Sequence, residues 1–402
     1  MIGWSGRRKT LTILAFILPT LLGILVFSIY PFIFNVFISL TDRGKFHPNP
    51  DCSNTLWRVV EPTCWLSQEQ RGIAEPFGIK DPWYKNYTDL IGGLFEAPGP
   101  ASLLRVVVAV LPLLGAWYLN RRLAKGLTRP VPGWVVWLGG LALAVLLGWL
   151  VNVPEAYDTL LASGNFIMVN VRTILYVLVC MPLFFIVGLA MALLLNNKFL
   201  RGVTFFRVVL IVPWAASTVA IMMSLVWQFF FRGQGTINQI LGILNIQGPT
   251  YLNEDVWAFF IVVLVNLWYT YPFFMVTILG GLQSIPLELY EAAEVDGASW
   301  WKQLMNITLP LLRPTVLPII VLSTLTTYKI DAVVWGITKG GPVKGAGIPG
   351  ATEFVMVHAY KQIFQTQAYG LMGAFAVVLF IALFAATLYS LRVTRITEGA
   401  YE

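Results

Sequence analysis

The sequence predicts an all-α, polytopic membrane protein with eight membrane-spanning helices. Hydrophobic residues make up 57% of the 402-residue chain and charged residues 12%, and the mean hydropathy is +0.73. A soluble core does not require so much apolar side chain, so lipid must solvate much of it. The apolar residues also form runs long enough to cross a bilayer as helices, and the basic residues lie at the ends of these runs.

The spans follow from the length of each apolar run, since about 20 residues of helix cross a bilayer. The first and fourth runs are longer, so these helices must tilt or protrude. The second and third runs contain few polar side chains. In chain order, the predicted spans are residues 11–40, 101–120, 134–153, 167–195, 205–231, 256–282, 312–337 and 371–394.

The positions of Lys and Arg predict the orientation, because these residues concentrate on the cytoplasmic side of a membrane. When the spans alternate from an N-terminus (residues 1–10) inside the cell, every basic group and both termini lie in the cytoplasm. The first run is too long for a secretory signal and lacks a small-residue cleavage site, which indicates an uncleaved anchor. The basic groups are Arg7, Arg8 and Lys9; Arg121, Arg122, Lys125 and Arg129; Lys198, Arg201 and Arg207; Lys302 and Arg313; Arg392 and Arg395.

Two long segments are then predicted outside the membrane, on its outer face. Residues 41–100 form the first and contain Cys52 and Cys64. An oxidising compartment allows a disulfide between these two residues, and two free thiols are the alternative. Residues 338–370 form the second, which either contacts another protein or only connects two spans. This segment contains Gly340, Gly341, Gly345, Gly347 and Gly350.

Several classes of function lack their sequence signals. The net charge of +7 is spread over the ends of the apolar runs, whereas a nucleic-acid-binding protein clusters its basic residues. His47 and His358 lie far apart and the three Cys form no CxxC pair, which argues against a metal site. A membrane enzyme would require an acid, a base or a nucleophile converging at one depth. A secondary transporter would require an internal repeat and acidic residues within the spans, where Asp331 is almost alone.

Residues 283–311, between the sixth and seventh spans, are predicted to form a cytoplasmic helix–turn–helix elbow. Pro286 suits the first turn of a helix, where its missing N–H has no partner in any case. Gly297 suits the left-handed position that ends a helix, and Pro310 is expected to stop the second helix. The two helices are expected over residues 286–296 and 298–308.

The elbow has an acidic side and an apolar side. Glu291 and Asp296 are expected to face away from the membrane, available to another protein. The alternative is an amphipathic surface helix that only joins two spans. The expected apolar side comprises Leu287, Tyr290, Trp301, Leu304 and Ile307.

Polar and aromatic side chains interrupt the sixth and seventh spans. Such residues are costly in lipid and are expected to face a cavity or a partner, in which a sugar would find hydroxyl groups and flat aromatic faces. Helix packing through small hydroxyl side chains is the alternative. Lys329 and Asp331 are expected to pair with each other or with another subunit. The interrupting residues are Asn266, Trp268, Tyr269, Thr270, Tyr271 and Phe273 in the sixth span, and Ser323, Thr324, Thr326, Thr327 and Tyr328 in the seventh.

The elbow also carries a motif that resembles a known family. Glu291-Ala292-Ala293, three residues, Gly297, nine residues and Ile307-x-Leu309-Pro310 are similar to the EAA loop of binding-protein-dependent ABC importer permeases. The surrounding GGLQSIPLELYEAAEVDGAS resembles the carbohydrate branch of that family. The resemblance covers most of residues 10–45 and 165–395. Other similar segments are LPTLLGILVFSIYPFIFNVFISLTD (18–42), YKNYTDLI (84–91), NFIMVNVRTILY (165–176, with Arg172 where Asn is usual), LRGVTFFRVVLIVP (200–213) and ITKGGP (337–342).

The chain departs from shorter sugar permeases at residues 92–164, which separate two motifs that are otherwise neighbours. This insert contains an extra hairpin of two spans, residues 101–153. In this respect the chain resembles MalF-type permeases, the larger subunits of maltose importers. The implied fold is the six-helix core of a type I ABC importer permease, with residues 167–395 as its main part, plus the extra N-terminal hairpin. A large outer domain after the third span is not expected, because that segment covers only about residues 154–166.

The resemblance implies a transport subunit and not an enzyme. Such a subunit lies in the bacterial plasma membrane and forms half of an alternating-access path for a di- or oligosaccharide, such as maltose, maltodextrin, trehalose or a related α-glucoside. A permease for glycerol phosphate or another glycoside is the nearest alternative. The chain has no G-x-x-x-x-G-K-[ST] loop, so no cofactor is expected in it, and ATP and Mg belong on a partner. The implied partners are a MalG-like second permease, two MalK-like ATPase subunits, an extracytoplasmic sugar-binding protein and membrane lipid.

The resemblance further implies two groups of site residues, and no metal ligands. One group couples the permease to the ATPase through the elbow. The other contacts the sugar, by alignment of the sixth and seventh spans with the maltose subunit. The coupling residues are Glu291, Ala292, Ala293, Asp296, Gly297, Ile307 and Pro310, and the sugar-contact residues are Tyr269, Thr270, Phe273, Ser323, Thr326, Thr327 and Ile330.

Overall fold

A computed structural model of the chain describes most of its backbone. The described residues are 7–53, 55–92, 95–96, 98–123, 132–163, 165–197, 201–345 and 347–398, and their side chains are described except at 7–11, 55–57, 163, 165 and 390–398. Of the basic residues used to predict the orientation, Lys125, Arg129 and Lys198 lie outside the described residues.

Eight helical segments among the described residues are long and apolar enough to cross a membrane, which confirms the predicted all-α, eight-span fold. The segments are Thr12–Ile38, Gly99–Leu123, Gly133–Leu150, Phe166–Leu195, Val203–Ile243, Asp255–Gln283, Trp300–Tyr328 and Tyr369–Tyr389.

The first part of the chain, up to the insert, alternates long helices with short elements. In order, these are α1 (Arg7–Ile24), a π-helical turn (Leu25–Ile29), α2 (Tyr30–Ile38), β1 (Asn49–Pro50), α3 (Thr55–Val60), a 3₁₀ turn (Pro62–Trp65), α4 (Gln68–Arg71), β2 (Pro76–Phe77), α5 (Lys85–Gly92), α6 (Gly99–Leu123), α7 (Gly133–Leu150) and α8 (Val153–Ser163).

The second part is helical throughout. It comprises α9 (Asn165–Leu195), α10 (Val203–Ala215), a 3₁₀ turn (Ala216–Val219), α11 (Ala220–Phe231), α12 (Thr236–Ile243), α13 (Asp255–Gln283), α14 (Glu288–Val295), α15 (Trp300–Gln303), a π-helical turn (Leu304–Thr308), α16 (Leu309–Tyr328), α17 (Ala332–Ile337), α18 (Val355–Phe364) and α19 (Tyr369–Glu398).

The chain divides into two compact units. The first comprises residues 1–90 and 359–384, so the first and last spans belong together. In it, Phe32 of α2 packs against Phe380 of α19 with ring centroids 4.5 Å apart. Gly373 lets the two helices approach closely, since a Cβ at this position would lie 3.0 Å from the backbone nitrogen of Ser39.

The outer segment of this unit, predicted as a long loop, contains folded elements. Strands β1 and β2 pair in parallel, with Asn49 opposite Pro76. A disulfide joins Cys52 to Cys64, whose Cα atoms are 5.4 Å apart. The buried amide of Asn86 donates hydrogen bonds of 2.8 Å to the carbonyls of Ser39 and Thr41. These bonds tie α5 to the end of the first span.

The second unit comprises residues 91–358 and 385–402, and the extra hairpin lies in it. Helices α6 and α7 approach closely at Gly140, where a Cβ would lie 2.5 Å from the Cβ of Ala116. The segment after the hairpin, predicted as a short loop, is the helix α8. Its residues Ala156, Leu160 and Leu161 are buried, because an apolar stripe at helical spacing packs inward.

The core of this unit is built on the long helices α9 and α13. Gly188 of α9 permits this packing, since a Cβ there would lie 2.5 Å from the Cβ of Phe274 and 3.1 Å from the backbone nitrogen of Met275. On the α9 side, Tyr176 and Phe184 are fully buried. The pairing fixes the orientation of the α13 face that is described below.

The seventh span differs from its prediction at both ends. Its helix begins at Trp300 and passes through Pro310, which was expected to stop it. The proline lies in the first turn of α16, directly after a π-helical turn in which the N–H of Leu309 donates to the carbonyl of Leu304. The helix of the seventh span therefore continues through this proline. At the other end α16 stops at Tyr328, so the predicted end at residue 337 is wrong.

Candidate functional site: a membrane cavity and a helical elbow

A cavity of about 390 Å³ lies between three of the spans in the second unit. Its lining combines aromatic, hydroxyl and carboxamide side chains, and it includes all seven residues that the resemblance assigns to sugar contact. The lining residues are Trp214, Ser217, Ala220, Asn266, Tyr269, Thr270, Phe273, Leu322, Ser323, Thr326, Thr327, Ile330 and Val333.

Helical periodicity explains why these residues meet. On α13, positions 266, 269, 270 and 273 recur at the spacing that forms one face of a helix. On α16, positions 323, 326, 327 and 330 repeat the same spacing. Phe274 and Met275 fix α13 against Gly188 of α9, and the neighbouring positions 266, 269, 270 and 273 line the cavity.

The hydroxyl groups of the cavity differ in whether the protein already uses them. Tyr269 donates to the carbonyl of Ala220 at 3.1 Å, and Thr326 donates to the carbonyl of Ser323 at 3.1 Å. By contrast, the side chains of Ser323 and Thr327 form no hydrogen bond with any described residue, although these residues are only 3% and 4% exposed. Both residues line the cavity, so these two hydroxyl groups are available to a polar ligand.

The cavity lining also contains Trp214, which sequence reasoning missed. Its ring stacks on Phe273 with centroids 6.2 Å apart and planes 24° apart. Ser217 lies in the 3₁₀ turn that interrupts the fifth span between α10 and α11. Pro213 marked this interruption in the sequence. Which side chains of this broken helix face the cavity depends on tertiary packing.

Lys329 and Asp331 follow the end of α16 and do not pair with each other. The carboxylate of Asp331 accepts a hydrogen bond of 2.6 Å from the N–H of Ala332 and thereby caps α17. Within the described part of the chain, neither residue takes part in an ion pair. The expected pairing between them is therefore wrong, and the reason is that the helix break gives Asp331 a backbone donor nearby.

The elbow has the predicted turn at Gly297. This residue has φ +73°, the left-handed conformation that glycine adopts without strain. The N–H of Ala298 donates to the carbonyl of Ala293 at 2.8 Å, and the N–H of Gly297 donates to that of Glu294 at 3.0 Å. This pair of bonds is the Schellman motif that ends α14.

The acidic side of the elbow is exposed, with Glu291, Ala292 and Asp296 all on the surface. Its predicted apolar side is covered only in part by the protein itself. Leu304 is buried, but Leu287 is 49% and Trp301 is 61% exposed. The remaining predicted coupling residues, Ala293, Ile307 and Pro310, are partly buried.

A hydrogen bond holds the two arms of the elbow together, since the hydroxyls of Tyr290 and Thr308 lie 3.0 Å apart. This bond crosses from α14 to the π-helical turn that precedes α16. The bond therefore links α14 to the base of the seventh span, whose other end lines the cavity.

The Gly-rich segment between α17 and α18 is held by side chains from α8, α9 and α13. Arg172, buried in α9, donates to the carbonyl of Gly350 and, from its Nε, to the hydroxyl of Tyr157 at 3.0 Å. Lys344 lies 2.9 Å from Asp158 and 3.4 Å from Asp255. The hydrogen bond that Lys344 donates to the carboxylate of Asp158 raises the pKa of Lys344, so the ammonium form persists at neutral pH. These contacts hold the described part of the segment, residues 338–345 and 347–354, against the three helices.

We expect Lys344→Met to cost at most about 1 kcal/mol of stability, because its ion pairs are about half exposed and therefore screened. Chemical unfolding of the purified chain in detergent measures this, with Lys45→Met as the control for an exposed lysine outside any ion pair. Since the pKa is raised, the contribution is present at neutral pH and is lost only as the pH rises through the alkaline range. A loss above about 3 kcal/mol would contradict this assignment.

Comparison with known proteins identifies the family of this chain. A family model described as "Binding-protein-dependent transport system inner membrane component" matches residues 184–393, which include both the cavity and the elbow. The chain belongs to this family. It is therefore a multi-pass membrane protein and a transport component, not an enzyme, and its family works with a binding protein.

Two relatives of the chain are sugar permeases. The chain is 32% identical over 240 residues to the trehalose/maltose transport system permease protein MalF of Thermococcus litoralis, covering 60% of this chain and 78% of the relative. It is 33% identical over 296 residues to the sulfoquinovosyl glycerol transport system permease protein SmoG of Agrobacterium fabrum, covering 74% and 88%. The chain is thus a permease subunit of a sugar ABC importer, of the MalF-like type.

A solved structure supports the fold. A chain of the bacterial alginate ABC transporter, in complex with an alginate pentasaccharide-bound periplasmic protein, superposes with a TM-score of 0.50 and 18% identity. The match covers 71% of the present chain and 96% of the solved one. At this identity the likeness concerns the fold of an ABC importer permease.

Proposed function

We propose that this permease forms half of the translocation path for a neutral di- or oligosaccharide, of the maltose, maltodextrin or trehalose type. The observation that supports this most is the cavity. Seven residues chosen by alignment with a maltose permease subunit, from two different spans, line one cavity in the second unit. A volume of about 390 Å³ lies within the roughly 300–1,000 Å³ of small-molecule sites.

The chemistry of the lining favours an uncharged sugar. Unpaired hydroxyls at Ser323 and Thr327 supply hydrogen-bonding groups, and Trp214 with Phe273 supplies a flat apolar face. None of the described lining residues is Lys, Arg, Asp or Glu. Glycerol phosphate would favour a cationic cavity, so this alternative has less support, as does an ion-coupled secondary transporter, which requires acidic groups.

The elbow supports a mechanism in which ATP is hydrolysed by partner subunits. Its exposed acidic surface at Glu291 and Asp296 is suited to docking on a cytoplasmic, MalK-like ATPase dimer. The bond between Tyr290 and Thr308 then passes the movement of α14 to the seventh span, which opens the cavity to one side at a time. A MalG-like permease supplies the other half of the path. In this arrangement both termini lie in the cytoplasm of a bacterial cell, and ATP and Mg bind to the partner.

The hydroxyl pair tests the proposal. We expect the double variant Ser323→Ala/Thr327→Val to weaken uptake of the cognate sugar about 5- to 150-fold, because two hydrogen bonds worth about 0.5–1.5 kcal/mol each are lost. The measurement is sugar uptake and sugar-stimulated ATP hydrolysis by the full importer in vesicles, with a panel of sugar-loaded binding proteins.

The matched control is Thr277→Val, since Thr277 lies on α13 and its hydroxyl donates to the carbonyl of Phe273 at 2.8 Å without lining the cavity. We expect this variant to transport as the wild type does. Equal transport by the double variant and the control would show that the cavity does not hold the sugar.

A further inference from the structure

A second polar cleft lies in the first unit, far from the family-matched residues in sequence. It is formed within residues 49–76, the disulfide-bonded part of the outer segment, and has a volume of about 1,020 Å³. None of its lining residues lines the membrane cavity. The side chains that matter for its chemistry are those of Asp51, Arg58, Trp65, Gln68 and Arg71.

Trp65 presents an indole ring to solvent in this cleft. Its side chain is 76% exposed, which is unusual for a large aromatic residue outside an interface. The Nε1 donates to the carbonyl of Arg58, so the polar edge of the indole is already satisfied. The flat face of the ring remains available for an apolar or stacking contact.

Three polar side chains of the cleft have no hydrogen-bond or ion-pair partner among the described residues. Arg58, Gln68 and Arg71 form no side-chain hydrogen bond or ion pair with any described residue, and the Nε of Arg71 is buried without a partner. Such a buried donor costs free energy unless a ligand or water accepts from it.

Asp51 adds a carboxylate to the cleft. The hydroxyl and the backbone N–H of Ser53 donate to its Oδ1 at 2.6 and 3.0 Å. These two bonds hold the pKa of Asp51 below its usual value, so it is ionised at neutral pH. Its other oxygen is left to accept a further hydrogen bond.

The cleft is held in shape by several independent contacts. The disulfide between Cys52 and Cys64 contributes both of its residues to the lining. The amide of Asn49 donates to the carbonyl of Ala74 at 2.9 Å, next to the paired strands β1 and β2. A capping box formed by Ser67 and Gln70 fixes the start of α4. Preorganised polar groups of this kind bind a ligand without a large entropic cost.

We propose that this cleft is a saccharide-binding site on the outer side of the membrane, separate from the translocation path. A pyranose ring stacks its apolar face on Trp65. The guanidinium groups of Arg58 and Arg71 and the carboxamide of Gln68 bind ring hydroxyls or a sugar carboxylate in a bidentate manner. The site goes beyond the proposed transport function, because it requires neither the elbow nor the membrane cavity.

The experiment measures saccharide binding directly, by saturation-transfer NMR and calorimetry on the full permease complex without binding protein or ATP. The probes are maltotriose, which is neutral, and a trimer of uronate sugars, which is acidic. All samples carry Ser323→Ala/Thr327→Val, so that the membrane cavity contributes little to the signal. We expect at least one probe to bind, and Trp65→Ala to weaken that binding at least about tenfold.

The matched control is Trp83→Ala, since Trp83 is 59% exposed in the same outer segment but does not line the cleft. We expect this variant to bind as the background does. Gln68→Leu, which keeps the size of the side chain and removes its hydrogen bonds, is expected to weaken binding several-fold and guards against misfolding of Trp65→Ala.

Three results would overturn the proposal. One is that neither probe binds to the background protein. Another is that Trp65→Ala and Trp83→Ala bind equally well. The third is that Trp65→Ala impairs docking of the binding protein while no saccharide binds, which would make the cleft a protein interface. Each result leaves the transport proposal intact, because uptake is measured separately on the variants of the membrane cavity.

Discussion

We expect Gly297→Asp to abolish coupled transport while leaving membrane insertion intact. The aspartate has to adopt φ +73°, which costs an L-residue about 1–2 kcal/mol. A Cβ at this position meets no atom within 4 Å, so the isolated chain accommodates the side chain. The new carboxylate instead projects from the surface that we propose docks on the ATPase, beside the exposed Asp296. A charge misplaced at an interface costs several kcal/mol, which corresponds to at least about 100-fold in coupling.

The measurements are sugar uptake and sugar-stimulated ATP hydrolysis in reconstituted vesicles, together with the accessibility of the elbow to labelling. Gly347→Asp is the matched control, since Gly347 has φ +77° and also has open space around its Cα. It lies in the segment predicted on the opposite side of the membrane, so it tests the strain without touching the docking surface. Gly297→Asn introduces a side chain of similar shape without the charge, so it separates the effect of the charge from the effect of the shape. Normal uptake by Gly297→Asp would refute the elbow as the coupling element.

The features of this molecule that could be predicted from its sequence are those that depend on residues close together in the chain. The eight spans are a property of local hydropathy, and the turn at Gly297 follows from local backbone geometry, so both were predicted correctly. The cavity residues on α13 and α16 recur at helical spacing. Their meeting was predicted through the resemblance, since spacing alone does not say which helices are neighbours.

The features that were missed depend on long-range contacts. Trp214 reaches the cavity because the fifth span breaks at residues 216–219 and stacks the indole on Phe273. Asp331 caps a helix and does not pair with Lys329, because α16 ends earlier than its hydropathy indicates. The disulfide between Cys52 and Cys64 was one of the two expected alternatives and is present, but the outer segment also folds through paired strands about 25 residues apart. A local pattern contains no signal for such pairing.

The second large effect concerns the packing that positions the cavity. We expect Gly188→Val to prevent the second unit from folding, because a Cβ at Gly188 would lie 2.5 Å from the Cβ of Phe274 and 3.1 Å from the backbone nitrogen of Met275. Backbone atoms on the facing helix cannot move aside as a flexible side chain does. Overpacking of this kind costs at least about 3 kcal/mol, a large part of the stability of a domain.

The measurement is the yield of monodisperse protein in detergent and its resistance to chemical unfolding. Gly280→Val is the matched control, since Gly280 is a helical glycine on α13 whose added Cβ would meet nothing within 4 Å. Both changes carry the same helix propensity, so their difference isolates the contact between α9 and α13. If the two helices separated without loss of the fold, Gly188→Val would still displace one face of α13. That face carries Asn266 and Thr270, which line the cavity. Sugar uptake by any folded fraction would then fall, whereas Gly280→Val retains it. Equal stability and uptake in the two variants would mean that the close contact does not position the cavity.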